Sequence, residues 1–201
     1  MRKLVVLTFV SLDGVMQAPG GPDEDRSGGF EFGGWTVPYS DEVIGQTMEE
    51  QMGQPYDLLL GKKTYEIWLG YWPKHNEGTI GTGINKATKY VVCDEAIDTS
   101  WDKTVRISGD VVGELKKLKA GDGPMLQVHG SGNLVQTLLE HDLVDELWLK
   151  TYPVTLGKGK RLWAEGVRPA GWKLTHSVAS PSGVIVANYV RDGEVKTGSF
   201  D

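Results

Sequence analysis

The stretch Val128–Leu149, VHGSGNLVQTLLEHDLVDELWL, decides the fold. Apolar residues run into the glycine turn Gly130-Ser131-Gly132. Leu134, Val135, Leu138 and Leu139 then recur at helical spacing, and Val144–Leu149 returns to an apolar run. Strand, turn, helix and strand in that order make a βαβ unit, in which a helix carries the chain between two parallel strands.

Short apolar runs elsewhere extend the same alternation. Strands are expected at Lys3–Val10, Asp57–Leu60, Lys89–Cys93, Thr104–Ile107, Met125–Val128, Val144–Thr151, Trp172–Ser180 and Val184–Arg191. Helices are expected between them. Ser40 can cap one that runs to Met52, with Ile44, Met48 and Met52 on one face. Thr64–Leu69 is a short one. Ser108 can cap Asp110–Lys119, and Asn133–His141 follows the glycine turn. The pattern predicts an α/β fold with a mainly parallel sheet of eight strands and about four helices. Ser180-Pro181-Ser182-Gly183 separates the last two strands, so they should close the chain as an antiparallel hairpin. No repeat or linker divides residues 1–201, which read as a single domain.

The 201 residues carry a net charge of -6 and no dense Lys/Arg cluster, which argues against nucleic acid as a partner and for a small molecule. The start, MRKLVVLTFVSLDG, has an apolar stretch too short for a membrane and no small-residue cleavage pattern, so it reads as a buried strand. Cys93 is the one cysteine and falls in an apolar run, where a buried thiol is expected. A reducing, cytoplasmic setting without membrane association fits these features. No pair of histidines has ligand spacing, so no metal is expected.

Ser11–Tyr39 breaks the compact pattern. It is glycine-rich and acidic, yet it carries Phe30, Phe32 and Trp35. A long segment of this kind is expected to be a binding loop whose aromatic residues pack on something.

Two strand-to-helix turns carry the chemistry. The first N–H groups of a helix lack partners within it, and glycines let a phosphate approach them. Gly130, Ser131, Gly132, Asn133 and Leu134 form one such turn. Gly61, Lys62, Lys63 and Thr64 form the other, adding two cations and a hydroxyl. Neither is a standard fingerprint. Val135 stands where a Rossmann loop has its third glycine, and Tyr56 stands where a Walker loop has its first. Together they suggest a ligand with several phosphates, such as a dinucleotide. Asp13, at the end of the first strand, is the first candidate for a polar contact to substrate. Asp41, in the first turn of a helix, is the second. His129 and His75 are weaker candidates, and Trp35, Trp68, Tyr71 and Trp72 could stack on a planar ring or form an interface.

In this order SLDGVMQAPGG, LLLGKKTYEIW, KYVV, HGSGNLVQTLLEHDLVDELWL and PVTLGKGKRLW resemble the dihydrofolate reductase-like superfamily. More closely, they resemble proteins related to the reductase domain of bacterial riboflavin biosynthesis. The resemblance spans nearly the whole chain and implies an αβα sandwich around an eight-stranded, mostly parallel sheet. It implies NADPH-linked reduction of a pteridine-like or pyrimidine-like ring, often by a homodimer. By position, it gives Gly61, Lys62 and Thr64 to the coenzyme phosphates, and Gly130, Ser131, Gly132, Asn133 and Leu134 to the diphosphate and nicotinamide side. Ser11, Leu12, Asp13 and Gly14 open the loop beside nicotinamide and substrate. Pro153, Leu156, Gly157 and Gly159 help to close the pocket. Two departures stand out. Cys93, Asp94 and Glu95 occupy the place near the adenosine 2′-phosphate where many relatives have a serine and often a basic residue, which leaves NADH open beside NADPH. No acid on the first helix aligns with the carboxylate that protonates pterin in dihydrofolate reductases, which argues against folate as substrate. The chain also lacks the zinc signature of the deaminase that riboflavin enzymes carry as a fused domain. A ligand-binding protein that keeps the pocket without the chemistry is the alternative.

Overall fold

The structure is a computed structural model and describes residues 1–200. Strand β1 (Leu4–Ser11, LVVLTFVS) is apolar on both faces and is buried almost throughout, which places it inside the sheet with helices on either side. Helix α1 (Glu42–Met52) follows the long loop. Then come β2 (Tyr56–Gly61), α2 (Lys62–Tyr71), α3 (Gly78–Lys86), β3 (Lys89–Val92), β4 (Thr104–Ile107), α4 (Val111–Ala120), β5 (Met125–His129), α5 (Gly132–Glu140), β6 (Glu146–Tyr152), β7 (Trp172–Ala179) and β8 (Ile185–Arg191).

The eight strands form one sheet in the order β4-β3-β2-β5-β1-β6-β8-β7. The pairings from β4 across to β6 are parallel. β8 pairs antiparallel with both β6 and β7, so the last two strands form the expected hairpin. One face of the sheet packs Leu115 of α4 and Leu134, Val135, Leu138 and Leu139 of α5 against Leu4, Val6, Leu126 and Val128. The other packs Met52 of α1, Tyr65 of α2 and Ile84 of α3 against Val5, Leu7, Leu58 and Leu60. This is the αβα sandwich.

Four details differ from the sequence reading. Among the described residues there are five α-helices, because GTIGTGINK forms α3 despite three glycines. Tertiary packing overrides propensity here. A Cβ at Gly81 would lie 2.3 Å from the His75 carbonyl oxygen, and one at Gly83 would lie 2.9 Å from the Tyr56 hydroxyl. The cap of α1 is Asp41 rather than Ser40, with Oδ1 accepting the Ile44 N–H at 3.0 Å. The cap of α4 is Asp110 rather than Ser108, accepting the Gly113 N–H at 3.0 Å. Cys93 is half-buried rather than core, since β3 ends at Val92.

Candidate functional site

β2 and β5 are parallel neighbours, so Gly61 and Gly130 leave the sheet at the same edge. Their helices depart to opposite faces, and the two turns interlock. The Gly61 N–H donates to Ser131 Oγ at 2.9 Å, and the Ser131 N–H donates to Thr64 Oγ1 at 3.0 Å. Gly130 and Ser131 both take left-handed backbone, with φ of 56° and 54°. A side chain at Gly130 would also put its Cβ 3.1 Å from Thr64 Oγ1. Ser131 is thus held in a conformation unfavourable for a residue with a Cβ, by bonds to the other turn. Neither α2 nor α5 has a side-chain cap on its first N–H groups. Two uncapped helix starts therefore meet at one place, an arrangement that favours an anion with more than one phosphate. Asn133 is exposed beside them, whereas the Leu134 side chain is buried in the core and leaves only its backbone to the turn.

The lysines of the first turn are both engaged. Lys62 Nζ pairs with Glu95 and lies 3.9 Å from Glu66. Its pKa is raised, first by the hydrogen bond to Glu95. Lys63 Nζ pairs with Asp25 and contacts Ser27 Oγ at 3.1 Å. The second oxygen of Asp25 takes Lys160 at 2.6 Å, so one carboxylate joins the long loop, the start of α2 and the late loop. Burial raises the Asp25 pKa, but the bonds from Lys160, Lys63 and Ser27 outweigh it and hold the group well below the usual carboxylate range. Cys93 stands next to this region, its thiol pushed up by burial.

Ser11–Tyr39 is an ordered cover. Gln17 accepts the Lys160 N–H at 3.0 Å and donates to the Asp25 and Ser27 carbonyl oxygens, each at 3.0 Å. Trp35 Nε1 donates to the Gln17 carbonyl at 2.8 Å, and its ring meets Tyr152 edge-on at 5.2 Å. Trp35 and Phe30 are buried, so they fasten the loop to the core, whereas Phe32 is exposed. A hollow of about 270 Å³ opens between Gln17, Ser27, Phe30 and Lys158–Lys160.

Asp13 lies at the end of β1 as expected, but as a staple. Its Oδ1 accepts from Ser11 Oγ at 2.6 Å and from the Leu156 N–H at 3.1 Å; Oδ2 accepts the Gly157 N–H at 2.8 Å. Burial raises its pKa, but these bonds win and hold it at about 2. Ser11 Oγ also accepts the Val15 N–H at 2.9 Å. Pro153 is exposed and faces Gly183 of the hairpin turn. Asp41 accepts the Ile44 N–H and, through Oδ2, the Ser182 N–H at 3.0 Å. Those bonds keep it ionised well below the usual range. The structure therefore groups the two turns with Lys62, Lys63 and Cys93, and sets Asp13, Ser11 and Gly157 in the adjoining loops. It leaves Asp41, Trp35 and Pro153 in structural contacts.

Beneath the second turn lies a buried polar cluster that periodicity did not reveal. His129 is buried, its ring 5.2 Å from Trp68, with Nε2 at 3.1 Å from Gln127 Oε1. Gln127 Nε2 donates to the Gln51 carbonyl at 3.0 Å, and Gln51 Oε1 accepts from Lys150 Nζ. Gln51 Nε2 in turn reaches Asn188 at 3.2 Å. Lys150 is fully buried, and desolvation lowers its pKa to about 7. Desolvation, aided by Lys150, lowers that of His129 to about 3. A lone lysine within the apolar run ELWLKTY was the signal available in the sequence.

The RibD C-terminal domain profile matches residues 2–186. The chain belongs to the RibD C-terminal domain family. The uncharacterized protein YyaP of Bacillus subtilis (strain 168) is 25% identical over 196 residues, covering 96% of each chain. Among solved structures, a Shewanella sp. PV-4 protein named for riboflavin biosynthesis superposes with a TM-score of 0.65 at 20% identity, covering 96% of this chain and 99% of its own. A dihydrofolate reductase from Enterococcus faecalis, complexed with NADP(H) and RAB-propyl, gives 0.59 at 14% identity over 94% and 96%. RibD C-terminal domain chains and dihydrofolate reductases thus share this fold.

Proposed function

We propose that this chain is a nicotinamide-dinucleotide-dependent reductase of a small heterocyclic substrate, of pyrimidine or pteridine type. One observation carries the reading: two uncapped strand-to-helix turns, bound to each other through Ser131 and Thr64, meet at one sheet edge. They fit a diphosphate, because both helix starts lack a side-chain cap and present unpaired N–H groups. The bound coenzyme would supply the hydride. Gly61–Thr64 and Gly130–Leu134 would hold its phosphates and fix its direction. The Ser11–Tyr39 cover, joined to Lys63 and Lys160 through Asp25, would keep water from the reacting end. The name of the Enterococcus relative's ligand supports the coenzyme class, and the family supports the substrate class.

Neither predicted acid fits a proton donor. Asp13 and Asp41 accept backbone N–H groups on both oxygens and stay ionised at neutral pH. Under this reading the proton comes from water. The same observation favours a second reading, a binding protein that retains the coenzyme turns without turnover.

The test is calorimetric titration with NADH and NADPH, followed by a turnover screen over pyrimidines, pterins and quinones. Binding with oxidation of the coenzyme supports the reductase. Binding without turnover on the panel supports the second reading. No binding of either at millimolar concentration removes both.

A further inference from the structure

A dinucleotide lying across two interlocked turns has one nucleoside toward β1 and β6 and the other toward β3 and β4. The β1 side carries the Ser11–Tyr39 cover and the Asp13 staple, so the reacting end belongs there, away from water. The adenosine half then falls over the open corner beyond β3. The chain leaves β3 at Val92, next to β2, and Cys93, Asp94 and Glu95 run past the start of α2.

The charges at this corner are Lys62 and Arg106 against Glu66, Asp94 and Glu95, so acids outnumber bases. Arg106 donates to the carbonyl oxygens of Asp94 and Glu95 at 2.8 and 3.2 Å. The Asp94 carboxylate accepts the Gly109 N–H at 3.0 Å. The Glu95 carboxylate takes no backbone donor. It reaches over to pair with Lys62, and its side chain is 72% exposed. Lys63 faces the other way, toward Asp25. The first turn thus has no cation free to receive an extra phosphate. A carboxylate at such a strand end accepts hydrogen bonds from a ribose diol and repels a 2′-phosphate.

We propose that the coenzyme is NADH rather than NADPH, and that Glu95, by holding Lys62 and facing the adenosine ribose, sets that preference. The inference rests on the reductase reading above and replaces the NADPH expected from the resemblance.

The experiment compares NADH and NADPH by calorimetry for the full chain, Glu95→Gln and Glu95→Arg, with circular dichroism melts to check folding. The unmodified chain should bind NADH about tenfold or more tightly than NADPH, the scale of a like-charge contact across a few ångströms near a surface. Glu95→Gln should shrink that ratio, chiefly by strengthening NADPH, and Glu95→Arg should invert it. Equal or tighter binding of NADPH by the unmodified chain would overturn the proposal, as would a ratio that Glu95→Gln leaves unchanged. Failure of all three proteins to bind either coenzyme would instead overturn the reductase reading on which it rests.

Discussion

Replacing Lys150 by methionine should make stability less dependent on alkaline pH, and the size of the effect follows from burial. The ammonium is fully enclosed, and the one side-chain oxygen it reaches is the uncharged Gln51 Oε1. Desolvation takes its pKa from 10.5 to about 7 in the folded chain. Below pH 7 the lysine is charged folded and unfolded, and the folded state bears the full penalty, about 5 kcal/mol at ~1.4 kcal/mol per pH unit. Between pH 7 and 10.5 only the unfolded chain keeps the proton, so stability rises by ~1.4 kcal/mol per unit. Above 10.5 the penalty is gone. Lys150→Met removes it at every pH and leaves Gln51 Oε1 without a donor, a cost of about 1–3 kcal/mol. The variant should therefore be more stable by about 2–4 kcal/mol at pH 6 and close to the unmodified chain at pH 9, a narrowing of about 3 kcal/mol. Lys89, lowered by desolvation to about 8, titrates in the same window but in both proteins, so it drops out of the difference. His129 stays neutral in the folded chain, and its titration near 6.5 in the unfolded chain is common to both proteins, so it also drops out of the difference. Urea unfolding followed by circular dichroism at pH 6, 7.5 and 9 measures the difference. An advantage that stays constant from pH 6 to 9 would refute the assignment of a displaced proton to Lys150.

Three further substitutions probe the turns and their cover. Gly130→Ala places a Cβ 3.1 Å from Thr64 Oγ1 at a φ of 56°. It should cost about 1–2 kcal/mol and lower the melting temperature by roughly 3–6 °C, with loss of coenzyme binding; an unchanged melt would show that the turn is not constrained. Thr64→Val removes the acceptor for the Ser131 N–H and should cost about 1–3 kcal/mol in urea unfolding, whereas Thr64→Ser should recover most of it; equal losses would mean that the methyl group matters rather than the hydroxyl. Asp25→Asn weakens the contacts to Lys63 and Lys160, whose side chains are about half exposed although that of Asp25 is only 9% exposed, so global stability should fall by about 1–3 kcal/mol. Tryptic cleavage after the exposed Arg26 should also accelerate, and an unaltered cleavage rate would show that Asp25 does not hold the cover.

Strand and helix assignments were legible where one periodicity ruled. Val128–Leu149 gave strand, turn, helix and strand because α5 buries a full apolar stripe and the strands beside it are buried on both faces. The pattern lost hold where tertiary fit reversed local preference. The α3 segment carries no helix signal in the sequence because glycine is a poor helix former, yet at Gly81 and Gly83 the His75 carbonyl and the Tyr56 hydroxyl leave no space for a Cβ. Both helix caps shifted past a serine to an aspartate, Asp41 and Asp110, although either residue type can accept the first N–H groups. The choice depends on which side chain the incoming loop aims at those groups, and for Asp41 the Ser182 N–H across the hairpin turn adds a second anchor.

The site was legible in its residue types and illegible in its pairings. Glycines and lysines at two strand ends mark a place where an anion can approach backbone, because few other residues allow that geometry. Which carboxylate meets which lysine depends on contacts between residues 33 to 135 positions apart, and these decide what each charge can do. Asp13 shows the consequence most directly. A carboxylate at the carboxyl end of a buried strand has the address of a reacting group, but three hydrogen bonds from Ser11, Leu156 and Gly157 hold it ionised near pH 2 and use both oxygens. A proton donor at neutral pH needs the opposite surroundings, burial without donors, which would raise the carboxyl pKa. Within this fold the group that burial has moved closest to neutrality is a base, Lys150, and its ammonium faces Gln51 in the buried polar cluster. The arrangement makes the strand edge a place for binding anions, while the group that titrates nearest neutrality is enclosed in the polar cluster around Gln51.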